Sequence, residues 1–284
     1  MRQEPFIRRD LGMKQKSLVP VIVLVVVLCS VAWADNGGQF WNFTDLIEDT
    51  AEEELEPLVK IFGSAMGAGL FDTGSVHGLG GFDMGLKVPV VFISDKLKAE
   101  SIVLSNEEFD LPVIPVPMFQ GSVGLPYNFN FMMRILKTPS FDEVPALTIL
   151  GFGGKYGLLQ QPVLPKVALV VGFTRLYGMD ELDVVDSFSL TTWSLGAAAS
   201  QDIWLATLYY GLAYEWTSLD IALDPEKDPD FAGTPVDPFS VGVSVGGVRW
   251  TSGAKLNLAL FTLNADVALA PIRTMSAGIG FNFR

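Results

Sequence analysis

In one stretch after another from Phe82 onward, apolar side chains recur at every second position. A period of two marks a β-strand with one apolar face, because successive side chains point to opposite sides of a sheet. Phe82, Met84, Leu86, Val88, Val90 and Phe92 alternate with Asp83, Gly85 and Lys87. Tyr127, Phe129, Phe131, Met133 and Ile135 alternate with Asn128, Asn130 and Arg134. The theme returns at Val167, Leu169, Val171 and Phe173, and again at Leu208, Tyr210, Leu212, Tyr214 and Trp216, set against Gly211, Ala213, Glu215 and Thr217. It closes with Met275, Ala277, Ile279, Phe281 and Phe283 against Ser276, Gly278, Gly280 and Asn282. Two structures satisfy such a pattern: a soluble sandwich or barrel with an oily core, and a membrane barrel with an oily outside.

Three features favour the membrane barrel. The sequence runs out inside a strand, at Phe283 and Arg284, as expected where a last strand pairs with the first and offers a terminal aromatic to the assembly machinery. The aromatics Tyr127, Trp204, Tyr214, Trp216, Trp250 and Phe281 fall near strand ends, where interfacial girdles belong. Connection lengths alternate. Ten strands (range 8–12) are expected at 81–93, 113–124, 127–136, 145–158, 165–177, 187–199, 204–221, 239–251, 254–268 and 272–284. Long connections leave the odd strands (94–112, 137–144, 178–186, 222–238) and short ones the even strands (125–126, 159–164, 200–203, 252–253). Barrels of this class have long outer loops and short periplasmic turns, so both chain ends are expected on the periplasmic side. The expected fold is an all-β, antiparallel up-and-down transmembrane barrel with an N-terminal helical segment.

Residues 1–34 read as a cleaved signal peptide. Arg8, Arg9, Lys14 and Lys16 precede an apolar run at 18–31, and Ala32-Trp33-Ala34 offers a cleavage site before Asp35. The run contains Pro20 and is too short for roughly 30 Å of hydrocarbon. Cys29, the sole cysteine, follows Leu28 rather than a small residue, so lipid attachment is not expected; without it the chain has no disulfide or thiol chemistry. Residues 35–79 form a helical periplasmic or plug segment. Leu55, Leu58, Val59 and Phe62 share a helical face over 44–67, and Thr50 with Glu53 forms a capping box. Pro57 is expected to kink that helix or start a second one, and Gly63, Gly67 and Gly69 to end it. Residues 80–284 form the barrel.

The chain is acidic, with a net charge of −13. Once residues 1–34 are set aside, 14 basic residues face 30 acidic ones. That balance argues against nucleic acid and against anionic lipid surfaces as partners. The acids concentrate in 94–112, 178–186 and 222–238 and in the helical segment 44–60.

By alternation Asp83, Lys87, Asn128, Asn130, Arg134, Lys155 and Glu215 face the lumen, and these are the candidate lumen or selectivity residues. They read either as a rigid network of opposite charges or as a polar constriction. Arg134 and Lys155 are expected to point inward with their charges near Asp83 or Glu215, since a basic side chain on the lipid face costs roughly 2–4 kcal/mol near mid-bilayer. Phe281 and Phe283 are the candidate assembly signal. His77, the only histidine, stands in a turn and reads as a solvated loop residue rather than a base. No metal-ligand spacing, cofactor motif or catalytic constellation is present, and the alternating acids at 224–230 lack the ordered loop of an EF-hand. No enzyme, metal or cofactor is therefore expected.

Several stretches carry a family resemblance. Gly67-Ala68-Gly69-Leu70 before Gly81-Phe82-Asp83, the proline-rich 111–119, Val123-Gly124-Leu125-Pro126, and Gly154-Lys155-Tyr156-Gly157-Leu158 followed by Gln161-Pro162-Val163-Leu164-Pro165 resemble a bacterial outer-membrane barrel family known only as a domain of unknown function. The likeness covers roughly 55–177. It implies an envelope location, a signal peptide and a barrel, and no established activity. More distantly, a helix before a barrel is similar to hydrophobe transporters of the fatty-acid channel type. The first functional expectation is a passive outer-membrane channel or transporter for small or hydrophobic solutes. A closed structural or surface-interaction barrel, a soluble periplasmic lipid-binding barrel and an envelope enzyme are the alternatives. Outer-membrane lipid and the barrel-assembly machinery are the expected partners, with a small permeant for the channel reading.

Overall fold

The structure is a computed structural model that describes residues 43–70, 72–99, 112–137, 148–177, 185–223 and 239–283. The expected signal peptide lies outside the described residues. A helix, α1 (Phe43–Gly67), precedes β1 (Phe82–Phe92), a short helix α2 (Asp95–Ala99) and a short strand β2 (Val113–Pro115). Nine further strands follow: β3 (Met118–Leu125), β4 (Phe129–Lys137), β5 (Thr148–Leu159), β6 (Lys166–Tyr177), β7 (Val185–Ile203), β8 (Ala206–Leu223), β9 (Phe239–Leu258), β10 (Phe261–Leu269) and β11 (Thr274–Phe283). Each strand from β3 onward pairs with the next, β1 pairs with β3, and β11 returns to β1, so the sheet closes. The β2 fragment continues the β3 side of β1 past Val116 and Pro117, where a proline cannot donate to the ladder. The wall is therefore a closed, antiparallel barrel of ten strands, as the alternation predicts.

Four hairpins are short, at 126–128, 160–165, 204–205 and 259–260, and gather at one end, the turn end. The connections 93–112, 138–147, 178–184, 224–238 and 270–273 mark the other, the loop end. Two turns fall elsewhere than expected. β7 runs on to Ile203 and turns at Trp204-Leu205, and β9 runs through Ser252-Gly253 and turns at Ala259-Leu260. These turns place Trp204 and Ala259 at φ of 56° and 57°, a left-handed conformation that neither residue advertises. Gly253, the apparent turn signal, instead makes room: a Cβ there would collide with the Tyr209 ring and the Asp266 side chain.

The pleat sorts the side chains. Phe131, Met133, Phe152, Leu169, Val171, Trp193, Leu195, Trp250, Ile279 and Phe281 are exposed on the outside. Asn130, Arg134, Lys155, Thr192, Glu215, Arg249 and Lys255 are buried on the inside. The barrel is thus apolar outward and polar inward over much of its wall.

Helix α1 lies in the lumen, where it packs on β1, β6, β7, β8 and β9. It is a single helix through Pro57, and the expected capping box at Thr50 and Glu53 falls inside it because the helix already runs at Phe43. Gly63 does not end the helix. It lies within α1 and, with Gly67, lets the helix approach the wall, because Cβ atoms there would overlap Thr217 and Glu215. Thr217 lies nearer the loop end of β8 than Glu215, so α1 descends from the loop end toward the turn end. A strap, residues 68–81, then continues to the turn end and leads into β1.

Candidate functional site

The lumen carries the candidate site, and it changes character with depth. At the loop end, Leu55 and Val59 of α1 join Val91, Ile149, Leu176, Leu190, Leu219, Val241 and Val243 of the wall in one apolar cluster. Leu97 of α2 and Ile272 of the last connection are buried in the same cluster. These two described loop-end segments therefore fold inward and thicken the apolar layer.

Mid-barrel, two arginines grip the C-terminal carbonyls of α1, which have no partners within the helix. Arg134 Nη1 donates to the carbonyls of Met66 (2.6 Å) and Ala68 (3.2 Å), and Nη2 donates to Gln120 Oε1 (3.1 Å). Arg249 Nη2 donates to the Ser64 carbonyl (2.6 Å) and Nη1 to Thr274 Oγ1 (3.0 Å). Arg249 Nε also pairs with Glu215 Oε2 at 2.8 Å, and Ser194 donates to the other Glu215 oxygen. Positive charge at a helix C-terminus is favourable in itself. Hydrogen bonds involving a charged group contribute about 1.5–3 kcal/mol each, so this clamp outweighs any single apolar contact above it.

Toward the turn end the strap has no regular structure, and wall side chains satisfy its backbone. Gln120 donates to the Gly69 carbonyl, Lys155 to the Thr73 carbonyl (2.8 Å) and Gln160 to the Gly74 carbonyl (2.8 Å). Ser200 accepts from Gly74 N, Gln160 from Val76 N and Asn130 from His77 N. At the centre sits Asp72, 3.0 Å from Lys155, 3.6 Å from Lys87 and 3.9 Å from Lys255. Burial alone would raise the Asp72 carboxyl, but the three lysines prevail and hold it well below the ordinary carboxylate range. Asp83 accepts from Ser122 (2.9 Å), pairs with His77 Nε2 (3.0 Å) and lies 3.8 Å from Lys255. Tyr209 donates to Asp266 (3.0 Å) in the same half.

Of the residues expected in the lumen, Asp83, Lys87, Asn130, Arg134, Lys155 and Glu215 point inward. Asn128 does not. It stands exposed in the β3–β4 turn at φ 57°, beside Tyr127 at 62°, because β4 begins only at Phe129. Arg134 carries its charge near Glu215, as expected, but its hydrogen bonds go to the α1 and strap carbonyls and to Gln120, and the ion pair of Lys155 is with Asp72 of the strap. His77 is no solvated turn residue, since its side chain is only 10% exposed and meets Asp83. Phe283 lies outside, stacked on Phe82, and Phe281 packs on Phe261.

Asp72, Arg249, Lys255, Asp266, Tyr209, Gln120 and Gln160 escaped the sequence reading. Arg249 was available to it, since it alternates with Val248 and Trp250. Lys255 was hidden by the misplaced turn at 252–253. Asp72 lies in an aperiodic strap and carries no such signal. Among the described residues, no group of three or more His, Cys, Asp or Glu could hold a metal ion.

Residues 103–283 match the model of a family of unknown function, DUF6588. The chain belongs to that family. The match spans the wall from the connection after α2 to the end of β11, whereas the residue-level resemblance lies in roughly 55–177. No curated protein matches. Among solved structures, the chain is similar to the crystal structure of Ail, the attachment invasion locus protein of Yersinia pestis, at 11% identity and a TM-score of 0.32, over 72% of this chain and 98% of that one. A second structure of Ail, in complex with the heparin analogue sucrose octasulfate, aligns at 9% identity and a TM-score of 0.27, over 72% and 95% of the two chains.

Proposed function

We propose that the protein is an outer-membrane β-barrel sealed by its own N-terminal helix, and that it serves as a closed barrel presenting its loop face rather than as a passive pore. The membrane reading is supported by the exposed outer apolar face, from Phe131 and Met133 round to Ile279 and Phe281, which water would not tolerate over such an area. Envelope lipid is then the partner of the wall. Phe281 and Phe283, outward on the closing strand, are the residues offered to the assembly machinery.

One observation carries the closed reading: α1 and the strap occupy the lumen and are pinned there by Arg134, Arg249 and Lys155. Moving them would uncover buried charges on both sides, at several kcal/mol for each broken pair. The test is swelling of proteoliposomes in isotonic sugars or salts after carbonate-resistant recovery of the protein with the outer membrane. A sealed barrel gives no swelling above empty vesicles. Rapid swelling of wild-type vesicles would contradict closure, and recovery in the soluble periplasm would contradict the membrane reading.

A second reading, transport with a displaced plug, draws on one sector of the wall. Lys87 Nζ, Asn264 Nδ2, Ser276 Oγ and Asn282 Oδ1 are buried on β1, β10 and β11 without hydrogen-bond partners. Such groups suit a path for water or a small polar solute along that sector.

A further inference from the structure

The direction of α1 has a topological consequence. Gly63 is level with Thr217 of β8, and β8 ends at Leu223. The six strand residues beyond Thr217 rise about 20 Å along the strand, and less along the barrel axis, because barrel strands tilt by about 35–45°. The twenty helix residues before Gly63 rise about 30 Å. The helix therefore outruns the wall at the loop end.

Charge gives an independent argument. Residues 43–54 hold Asp45, Glu48, Asp49, Glu52, Glu53 and Glu54 and no basic residue. The lumen at the loop end is lined by Val91, Leu190, Leu219, Val241 and Val243, which offer a carboxylate nothing. Burying six carboxylates against such a lining would be costly.

We propose that α1 is threaded through the barrel from the loop end, so that its acidic first half is presented on the loop face. This rests on the membrane reading above, in which the loop face is the cell surface. The protein then displays the first turns of α1 outward, while the C-terminal end of the same helix is locked by Arg134 and Arg249. Of the two expectations for residues 35–79, a periplasmic or a plug segment, the plug fits this arrangement.

A cysteine ladder tests it. Cys29 is the sole cysteine, so in a Cys29→Ala background Thr50→Cys, Thr234→Cys and Asn128→Cys each give one labelling site in α1, in 224–238 and in the β3–β4 turn. A membrane-impermeant maleimide is applied to intact and to permeabilised cells. Thr50→Cys and Thr234→Cys should label to within about twofold of each other in intact cells, and Asn128→Cys only after permeabilisation. Labelling of Thr234→Cys without Thr50→Cys would overturn the threading and leave the membrane reading standing. Labelling of Asn128→Cys in intact cells would show the opposite orientation and overturn the display. If all three label only after permeabilisation and the protein is soluble, the membrane reading fails and the display with it.

Discussion

At the loop end of the lumen the plug meets the wall through methyl groups: Leu55 and Val59 against Val91, Leu219, Val241 and Val243. At mid-barrel and below, it meets the wall through ions and amides: Arg134 and Arg249 on the α1 carbonyls, and Lys155 on Asp72 and Thr73. The two halves do different work. Apolar packing is non-directional, so a helix held only by the upper cluster could slide or rotate and repack at modest cost. Charged hydrogen bonds are directional, and leaving one partner buried and unpaired is expensive. The upper half therefore excludes water, and the lower half fixes the depth and sense of the helix. The strap needs the lower half for a second reason: irregular backbone inside a barrel must find partners for its N–H and C=O groups, and wall side chains supply many of them.

The largest effect is expected where the directional half is cut. Arg249→Ala uncovers the Ser64 carbonyl and strands Glu215, at about 3–5 kcal/mol, the cost of an uncompensated buried charge. The midpoint of heat-modifiability on gels should fall, and intermittent currents should appear as the plug loosens. Adding Glu215→Gln should recover part of the stability, because the stranded charge is gone. No change in the midpoint would show that the clamp does not hold the helix.

Leu219→Ala sharpens the contrast. A lost core leucine costs about 2–5 kcal/mol through transfer and cavity terms. Stability should therefore fall nearly as far, yet the barrel should stay shut, since the depth of α1 is set below. Currents in Leu219→Ala as frequent as in Arg249→Ala would erase the distinction between the halves.

Asp72 gives a pH-dependent test of the lower half. Its carboxyl is held below the ordinary range when folded, so its contribution is fully present above the unfolded value, about 3.9. That contribution is lost as pH falls through the folded value. The wild type should lose this share of stability only in the strongly acid window, and Asp72→Asn should flatten that part of the curve while being less stable at neutral pH. Curves that run parallel down to strong acid would show that the three lysines do not depend on Asp72.

The smallest effect belongs outside the lumen. Asn128→Gly should shift stability by no more than about 0.5 kcal/mol, since the residue is exposed and its φ of 57° suits glycine. A change of several kcal/mol would restore Asn128 to the lumen network.

The wall was legible because a period of two needs no context. Phase alone placed Asp83, Lys87, Asn130, Arg134, Lys155 and Glu215 inside. It failed at strand ends, where Tyr127, Trp204 and Ala259 adopt left-handed turns that residue type does not announce, where Asn128 stands in a left-handed turn that suits its type, and where Gly253 imitated a turn while serving as a packing gap. The plug was legible as a helix, from Leu55, Leu58, Val59 and Phe62, but not in its place. Nothing in the sequence alone says that Asp72 will meet Lys87, Lys155 and Lys255, because those contacts join an aperiodic strap to three separate strands.

Single-channel recording in planar bilayers tests the central claim most directly. With α1 and the strap in place, the wild-type protein should show no steady conductance, and Arg134→Ala/Arg249→Ala should show transient openings. A steady, ohmic open state in the wild type, unchanged in the double variant, would mean that α1 is not a seal.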